Sequence, residues 1–248
     1  MPLEGKVALV TGAGAGLGRS IAQCYAQAGA HVVVSDINDD TGAETVQLIL
    51  NAGGTATYHH TDVSSPEESR GLVQFALDTY GRLDIACNNA GIAPPPTPMA
   101  EISTDLWRRT LSIDLDGVFY GIKAQVPAML RNGGGTIINI SSILGQVAFP
   151  GLAPYVAAKH AVVGLTKQIA VDYAAQNIRA IAVGPAFIKT GLEMALDEKT
   201  RAALDMAHPI ERMGKPREVG EVVAMISADQ WSFVNGAYLP IDGGYLSR

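Results

Sequence analysis

Seven short runs of aliphatic and β-branched residues punctuate the chain: KVALVTG (6–12), AHVVVSD (30–36), TATYHHTDV (55–63), LDIACNNAG (83–91), GTIINISS (135–142), IRAIAVGP (178–185) and GAYLPID (236–242). They are continuous apolar runs rather than strict alternations, which is the pattern of strands covered on both faces. Between them lie segments with helical periodicity near 16–29, 40–52, 66–80, 103–131, 154–175 and 215–228. Strand–helix alternation over the whole chain predicts a parallel, doubly wound α/β sheet. No linker-like tract divides it, so residues 1–248 are expected to form one domain. APPPTP (93–98) predicts a stiff loop, and the long insertion at about 186–210 predicts a lid.

One stretch resists the pattern. In TLSIDLDGVF (110–119), Leu111, Leu115, Val118, Phe119 and Ile122 fall on one arc of a helix. Asp114 projects to the edge of that arc, where desolvation penalises a carboxylate. Asp116 projects further round, towards water.

Bulk composition narrows the function classes. With 48% hydrophobic and 17% charged residues, a sizeable core is expected and disorder is not. A net charge of −6 argues against a sequence-independent grip on nucleic acid. Cys24 and Cys87 lie in apolar segments without CxxC or Cys/His spacing, so they are expected to be reduced, buried thiols. No apolar run approaches a membrane span, and MPLEGKVALV leads straight into a strand. The expectation is a soluble cytoplasmic protein that engages no membrane.

Two motifs carry chemistry. TGAGAGLG (11–18) joins the first strand to the first helix. Gly12, Gly16 and Gly18 there permit a tight turn, close approach of backbone to phosphate and close helix–strand packing. Asp36 closes the second strand, placed to accept hydrogen bonds from ribose hydroxyls and to repel a 2′-phosphate. Ala15 and Ile37, where a basic residue would favour NADP, are both apolar, so NAD(H) is expected. In YVAAK, Tyr155 and Lys159 are one helical turn apart on one face. An ammonium beside a phenol stabilises the phenolate. Ser142 lies thirteen residues before Tyr155, at the C-terminal end of a strand, where doubly wound folds place ligands.

TGAGAGLG, NNAG (88–91), Ser142, YVAAK and the closing DGG (242–244) resemble the short-chain dehydrogenase/reductase family, in order and spacing over nearly the whole chain. The resemblance implies a single Rossmann-type domain with a seven-stranded parallel sheet, helices on both faces, and a homotetramer. It implies that Tyr155 is the general acid in carbonyl reduction and the base in alcohol oxidation. Ser142 would hydrogen-bond the substrate oxygen, and Lys159 would bind the nicotinamide ribose and support the Tyr155 phenolate. Cofactor contacts would come from Gly12, Gly16, Leu17, Gly18, Asp36, Ile37, Asp62, Val63, Asn89, Ala90, Gly91, Pro185, Ile188 and Thr190. The chain departs from the family pattern at three places. Ala158 stands where Ser usually precedes the lysine. Ile181 and Ala186 stand where Asn and Gly usually flank the sixth strand, which would remove a polar group and backbone freedom near the cofactor. Asp114 stands where the family usually carries Asn at a helix bend that completes a proton relay, so Asp114 is a candidate member of the catalytic set.

Pro94, Leu144, Gln146, Ala186, Phe187 and Leu192, with Met194, are candidates for the substrate pocket. Their apolar balance favours a hydrophobic ketone or secondary alcohol. No metal site is expected: His59 and His60 lack ligand-spaced partners. His160 is expected to pack, and Trp107 and Trp231 to anchor core or interface. The leading expectation is an NAD(H)-dependent alcohol dehydrogenase or carbonyl reductase acting on a small molecule. The alternatives are a reductase of 3-oxoacyl thioesters, hydroxysteroids or sugars, and a non-catalytic NAD(H)-sensing scaffold.

Overall fold

The first strand, β1 (Val7–Thr11), is buried along its whole length. Its side chains alternate between two cores. Ala8 and Val10 join one apolar cluster with Ile21, Val32, Val34, Val183 and Val223; Leu9 joins another with Val33, Leu72, Val118, Ile137 and Val162. The period-2 geometry of a strand sends neighbours to opposite faces, so a run that is apolar at every position needs cover on both. The structure, a computed structural model, describes residues 1–191, 194, 196 to 247.

Seven strands form one parallel sheet in the order β3-β2-β1-β4-β5-β6-β7. Besides β1 these are β2 (His31–Asp36), β3 (Thr55–His60), β4 (Ile85–Asn88), β5 (Gly135–Ile140), β6 (Ile178–Pro185) and β7 (Tyr238–Ile241). The order reverses between β1 and β4, and the crevice outside the carboxyl ends of the strands at that point is the ligand-binding position of such folds. The helices are α1 (Gly16–Gln27), α2 (Asp39–Asn51), α3 (Pro66–Tyr80), α4 (Thr104–Leu111), α5 (Gly117–Arg131), α6 (Ala153–Tyr173), α7 (Glu198–Met206) and α8 (Pro216–Ile226). α1 and α8 pack on the first cluster; α3, α5 and α6 pack on the second.

Two predicted elements change on folding. The helix expected over 103–131 is two helices joined by a single π turn, Ser112–Asp116. The added residue of a π turn rotates everything after it. Asp114, expected at the edge of the stripe, is fully buried, whereas Phe119, expected inside, is 44% exposed. The lid contains a helix that its charge scatter concealed. α7 is capped by Asp197, which accepts from the Thr200 N–H at 2.8 Å, and it buries none of its residues.

Candidate active site

The glycine turn is stereochemically committed. Gly12 and Gly16 have φ of +62° and +51°, the left-handed region that disfavours side chains. A Cβ at Gly12 would lie 2.8 Å from the Ala90 Cα, and one at Gly18 would strike the Gly12 carbonyl. The Gly14 N–H donates to Asp36 Oδ2 at 2.8 Å, and the Asn38 N–H to Oδ1 at 3.0 Å, which fixes the carboxylate beside the turn. Behind it, Thr11 Oγ1 accepts from the Asn89 and Ala90 N–H groups at 3.0 and 3.1 Å. Asn89 Nδ2 donates to the Thr11 and Gly12 carbonyls at 2.9 and 3.2 Å. The NNAG segment is thereby stitched to the glycine turn across the β1–β4 switch point.

The remaining cofactor candidates line the same edge. Leu17 packs on the core, and Ile37 is exposed beside Asp36. Asp62 Oδ1 accepts from the Ser64 N–H at 2.9 Å, turning the chain after β3, and Val63 abuts Gly117. Thr190 lies over Gly16: a Cβ there would come 3.1 Å from the Thr190 Cβ. Ile188 bridges to Gly214, with the Gly214 N–H donating to the Phe187 carbonyl at 3.0 Å and the Lys189 N–H to the Gly214 carbonyl at 2.9 Å. A glycine turn that admits no side chain at Gly12 or Gly18, followed by the uncapped first turn of α1 and flanked by the Asp36 carboxylate, is chemically compatible with a dinucleotide.

Ser142 follows β5 and is nearly buried, with its Oγ accepting from the Leu144 N–H at 3.1 Å. The Tyr238 hydroxyl donates to the Ser142 carbonyl at 2.8 Å, fixing that turn from the sheet edge. Burial pushes the Tyr238 hydroxyl up to about 12, so it stays a donor. α6 begins just beyond, with Pro154 in its first turn. It carries Tyr155, half-buried, and Lys159, 3% exposed. Lys159 Nζ donates to the Ile140 carbonyl at 3.1 Å and stands 5.4 Å from the centre of the Tyr155 ring. The structure thus sets Lys159 beside Tyr155 and ties it to the strand that ends just before Ser142.

Asp114 closes the floor of this site. Its Oδ1 accepts from the Ile92 N–H at 2.7 Å, and its Oδ2 is buried with no partner among the described residues. A Cβ at Gly91 would lie 2.8 Å from Asp114 Oδ1 and 3.4 Å from Lys159 Nζ, so carboxyl and ammonium flank the same glycine. Burial raises the Asp114 carboxyl above the usual carboxylate range; Lys159 and the Ile92 N–H pull it back.

Sequence reasoning missed a polar network beneath the site. Asn88 Nδ2 donates to Asn139 Oδ1 at 2.8 Å, Gln125 Nε2 to Asn88 Oδ1 at 2.7 Å, and Asn139 Nδ2 to Thr166 Oγ1 at 3.0 Å. These groups are all buried and tie β4 and β5 to α5 and α6. Buried amides persist when paired, and the signal was present as Asn88 and Asn139 inside apolar strand runs. Two departures from the family pattern also settle differently. Ile181 is fully buried in the core opposite Ile138, away from the cofactor-side turn, so the residue is a packing choice. Ala186 does not take a positive φ, so the lost glycine costs no backbone strain.

The substrate candidates divide. Pro94 and Leu144 are buried, and Gln146 is exposed. Phe187 packs edge-on against Phe149, His208 and Tyr245, with ring centres 5.9, 5.8 and 6.1 Å apart. With Ala186 it lines a cavity of about 110 Å³. Met194 is exposed, and Leu192 lies outside the described residues. His60 pairs with Asp39 at 2.7 Å, and no metal-holding cluster exists among the described residues. Cys24 and Cys87 are buried and free, as expected. No described helix is long and apolar enough to cross a membrane.

Comparison with known proteins agrees with this geometry. A family model described as enoyl-(acyl carrier protein) reductase matches residues 12–246. A cyclohexanol dehydrogenase from Acinetobacter sp. (strain SE19) is 44% identical over 243 residues, covering 98% of this chain and 96% of the relative. A cis-4-hydroxycyclohexanecarboxylate dehydrogenase from Sinomonas cyclohexanicum is 41% identical, covering 98% and 97%. A crystal structure from Sinorhizobium meliloti 1021, assigned to the short-chain alcohol dehydrogenases, superposes with a TM-score of 0.94. It is 35% identical, covering 99% of this chain and 98% of the other.

Proposed function

The chain belongs to the short-chain dehydrogenase/reductase family, and from that premise we propose an NAD(H)-dependent dehydrogenase that interconverts a hydrophobic, ring-type secondary alcohol and its ketone. The observation that carries the reading is that Lys159 Nζ, bound to the Ile140 carbonyl at the carboxyl end of β5 two residues before Ser142, stands 5.4 Å from the Tyr155 ring, on the sheet edge that also carries the glycine turn and Asp36. The alicyclic alcohols named for the relatives direct the substrate class.

When bound, the nicotinamide supplies a hydride donor or acceptor. Gly12, Gly16 and Gly18 would hold the pyrophosphate, Asp36 the adenosine ribose, and Ile188 and Thr190 the nicotinamide end. Asp62, Val63, Asn89, Ala90 and Gly91 would border the adenine side, with Leu17, Ile37 and Pro185 at its margins. In alcohol oxidation, Tyr155 Oη takes the hydroxyl proton; in ketone reduction it returns one to the carbonyl oxygen. Ser142 Oγ donates a hydrogen bond to that oxygen as charge develops on it. The Lys159 ammonium, held by the Ile140 carbonyl, stabilises the Tyr155 phenolate. Asp114 belongs to the same site as a positioning residue acting through Lys159. Pro94, Leu144, Gln146, Ala186, Phe187 and Leu192 complete the substrate side.

The same reading includes a homotetramer, supported by the exposed aromatics Trp107, Phe119 and Phe233. It also includes a reducing cytoplasmic setting, supported by two free buried thiols. Nucleic acid has no part in it. The test is a screen of cyclohexanols and cyclohexanones with NAD(H) and NADP(H), following absorbance of the reduced cofactor. Hydride transfer with NAD(H) is expected; binding of NADH without turnover of any carbonyl would leave a sensing scaffold instead. Light scattering coupled to size exclusion tests the tetramer.

A further inference from the structure

Arg19 sits one residue beyond the glycine turn, yet its guanidinium folds back against the turn. Its Nε donates to the Gly14 carbonyl at 3.0 Å and to Thr45 Oγ1 at 2.9 Å. Its Nη2 donates to the Gly14 carbonyl and to Glu44 Oε2, and reaches the Thr41 carbonyl at 3.5 Å. No acceptor among the described residues takes Nη1. The Gly14 peptide is thus held between two charges: its N–H on the Asp36 carboxylate and its C=O on the Arg19 guanidinium. Arg19 is a cation within one peptide unit of the ribose acceptor, and the sequence did not show it, because the arginine is displaced from the positions next to Ala15 and Ile37.

The charges around it are mostly acidic. Asp39 and Asp40 occupy the first turn of α2, and Glu44 follows one turn later. His60 is paired with Asp39. An arginine beside a ribose site would ordinarily attract a phosphate, because its planar fork matches phosphate oxygens. Here one arm of that fork, Nη2, is shared between Glu44 and the Gly14 carbonyl, which keeps the guanidinium turned towards the glycine turn. The Glu44 side chain is itself 57% exposed, so nothing buries it in place except the pairing.

We propose that Glu44 is a specificity-determining residue for the cofactor: by pairing with Arg19 it holds the guanidinium against the glycine turn and denies a 2′-phosphate its nearest arginine. The inference rests on the NAD(H) reading. Discrimination then has two layers. Asp36 repels the phosphate directly, and Glu44 sequesters the cation that would otherwise attract it. Removing Asp36 alone leaves the second layer in place.

The experiment measures dissociation constants of NADH and NADPH by fluorescence titration of the purified enzyme. The variants are Asp36→Ser, Asp36→Ser/Glu44→Gln, and Asp36→Ser/Glu44→Gln/Arg19→Gln. The double variant is expected to bind NADPH about tenfold more tightly than Asp36→Ser, as one added charge-assisted hydrogen bond would give, and the triple variant to lose that gain. Melting temperature reports whether each variant keeps its fold. No gain from Glu44→Gln overturns the proposal. A gain that survives Arg19→Gln overturns it too, since plain removal of negative charge would then explain the effect. If Asp36→Ser fails to fold, Glu44→Gln is compared with Glu44→Gln/Arg19→Gln in the presence of Asp36, with a gain of about threefold expected. Wild-type enzyme that binds NADPH as tightly as NADH would instead defeat the NAD(H) reading on which this one stands.

Discussion

The glycine turn and the lid meet at Gly16 and Thr190, yet they are built on opposite terms. In the turn, the backbone from Ala13 to Gly14 is pinned on both its N–H and its C=O side. The Ala13 N–H donates to the Ser35 carbonyl at 2.9 Å, the Gly14 N–H to Asp36, and Thr45 Oγ1 to the Ala13 carbonyl at 2.9 Å. Side chains are excluded by close backbone approach. The lid is held by the Ile188–Gly214 bridge, by Asp205 Oδ1 accepting from the Met213 N–H at 2.7 Å, and by the Phe187 ring cluster at its start. Its α7 buries nothing, and Met194, Met206 and Ile210 are 73%, 60% and 52% exposed. A group common to every turnover is met by an over-determined surface. A variable substrate is met by an element with few constraints, which suits closure around different ligands.

Substitutions can sharpen or break that contrast. The largest effect belongs to the chemistry both regions serve. Tyr155→Phe should lower kcat by about a thousandfold while leaving NADH affinity unchanged, because only the proton donor is removed. Retained turnover would mean the proton comes from elsewhere. Next is the rigid side. Gly18→Ala puts a methyl onto the Gly12 carbonyl, and we expect loss of about 1–3 kcal/mol in denaturant melts together with weakened NADH binding. A neutral outcome would show that the turn can yield and is not over-determined.

Asp114→Asn should act through pH. Burial raises the Asp114 carboxyl in the folded protein above its unfolded value. A group raised in this way stabilises fully below its unfolded pKa and loses that contribution as pH rises through the folded value. The variant, which cannot ionise there, should therefore gain in melting temperature relative to wild type as pH rises from the unfolded carboxyl's range through the raised folded value. An ionised carboxylate beside Lys159 also opposes a Tyr155 phenolate. The midpoint of the pH–rate curve for alcohol oxidation should accordingly move to lower pH in Asp114→Asn. If neither quantity moves, burial does not hold the carboxyl above its unfolded value and Asp114 does not act through Lys159.

The smallest effect on stability is expected on the lid. Met206→Ser should change stability by less than about 0.5 kcal/mol, since the side chain is exposed. A large loss of stability there would place the lid in the folded core and erase the contrast.

The strands were legible because burial on both sheet faces forces apolar character at every position, as in VALVT and IRAIAVGP. The glycine turn and the YVAAK pair were legible for a related reason: both depend on short-range stereochemistry, a positive φ in one case and one helical turn in the other. The π turn was not legible. One added residue in a helix leaves composition and apolar spacing nearly unchanged but rotates Asp114 inward and Phe119 out. The Asn88–Gln125–Asn139–Thr166 network escaped because its members are separated by up to 78 positions along the chain and become neighbours only when β4, β5, α5 and α6 pack.

By itself the sequence determined the layered α/β architecture and the glycine turn with Asp36 beside it, and it singled out Ser142, Tyr155 and Lys159 as candidates for the proton chemistry. These follow from local periodicity and the chemistry of single residues, which act the same wherever the chain goes. Tertiary structure alone decided which groups became neighbours without being near in sequence. It set the buried Asp114 and Lys159 on either side of Gly91, folded Arg19 back under Gly14 into the grip of Glu44, and packed Phe187 among Phe149, His208 and Tyr245. Charge and ring interactions depend on distance and local dielectric, and neither exists as a quantity until the chain has closed around them.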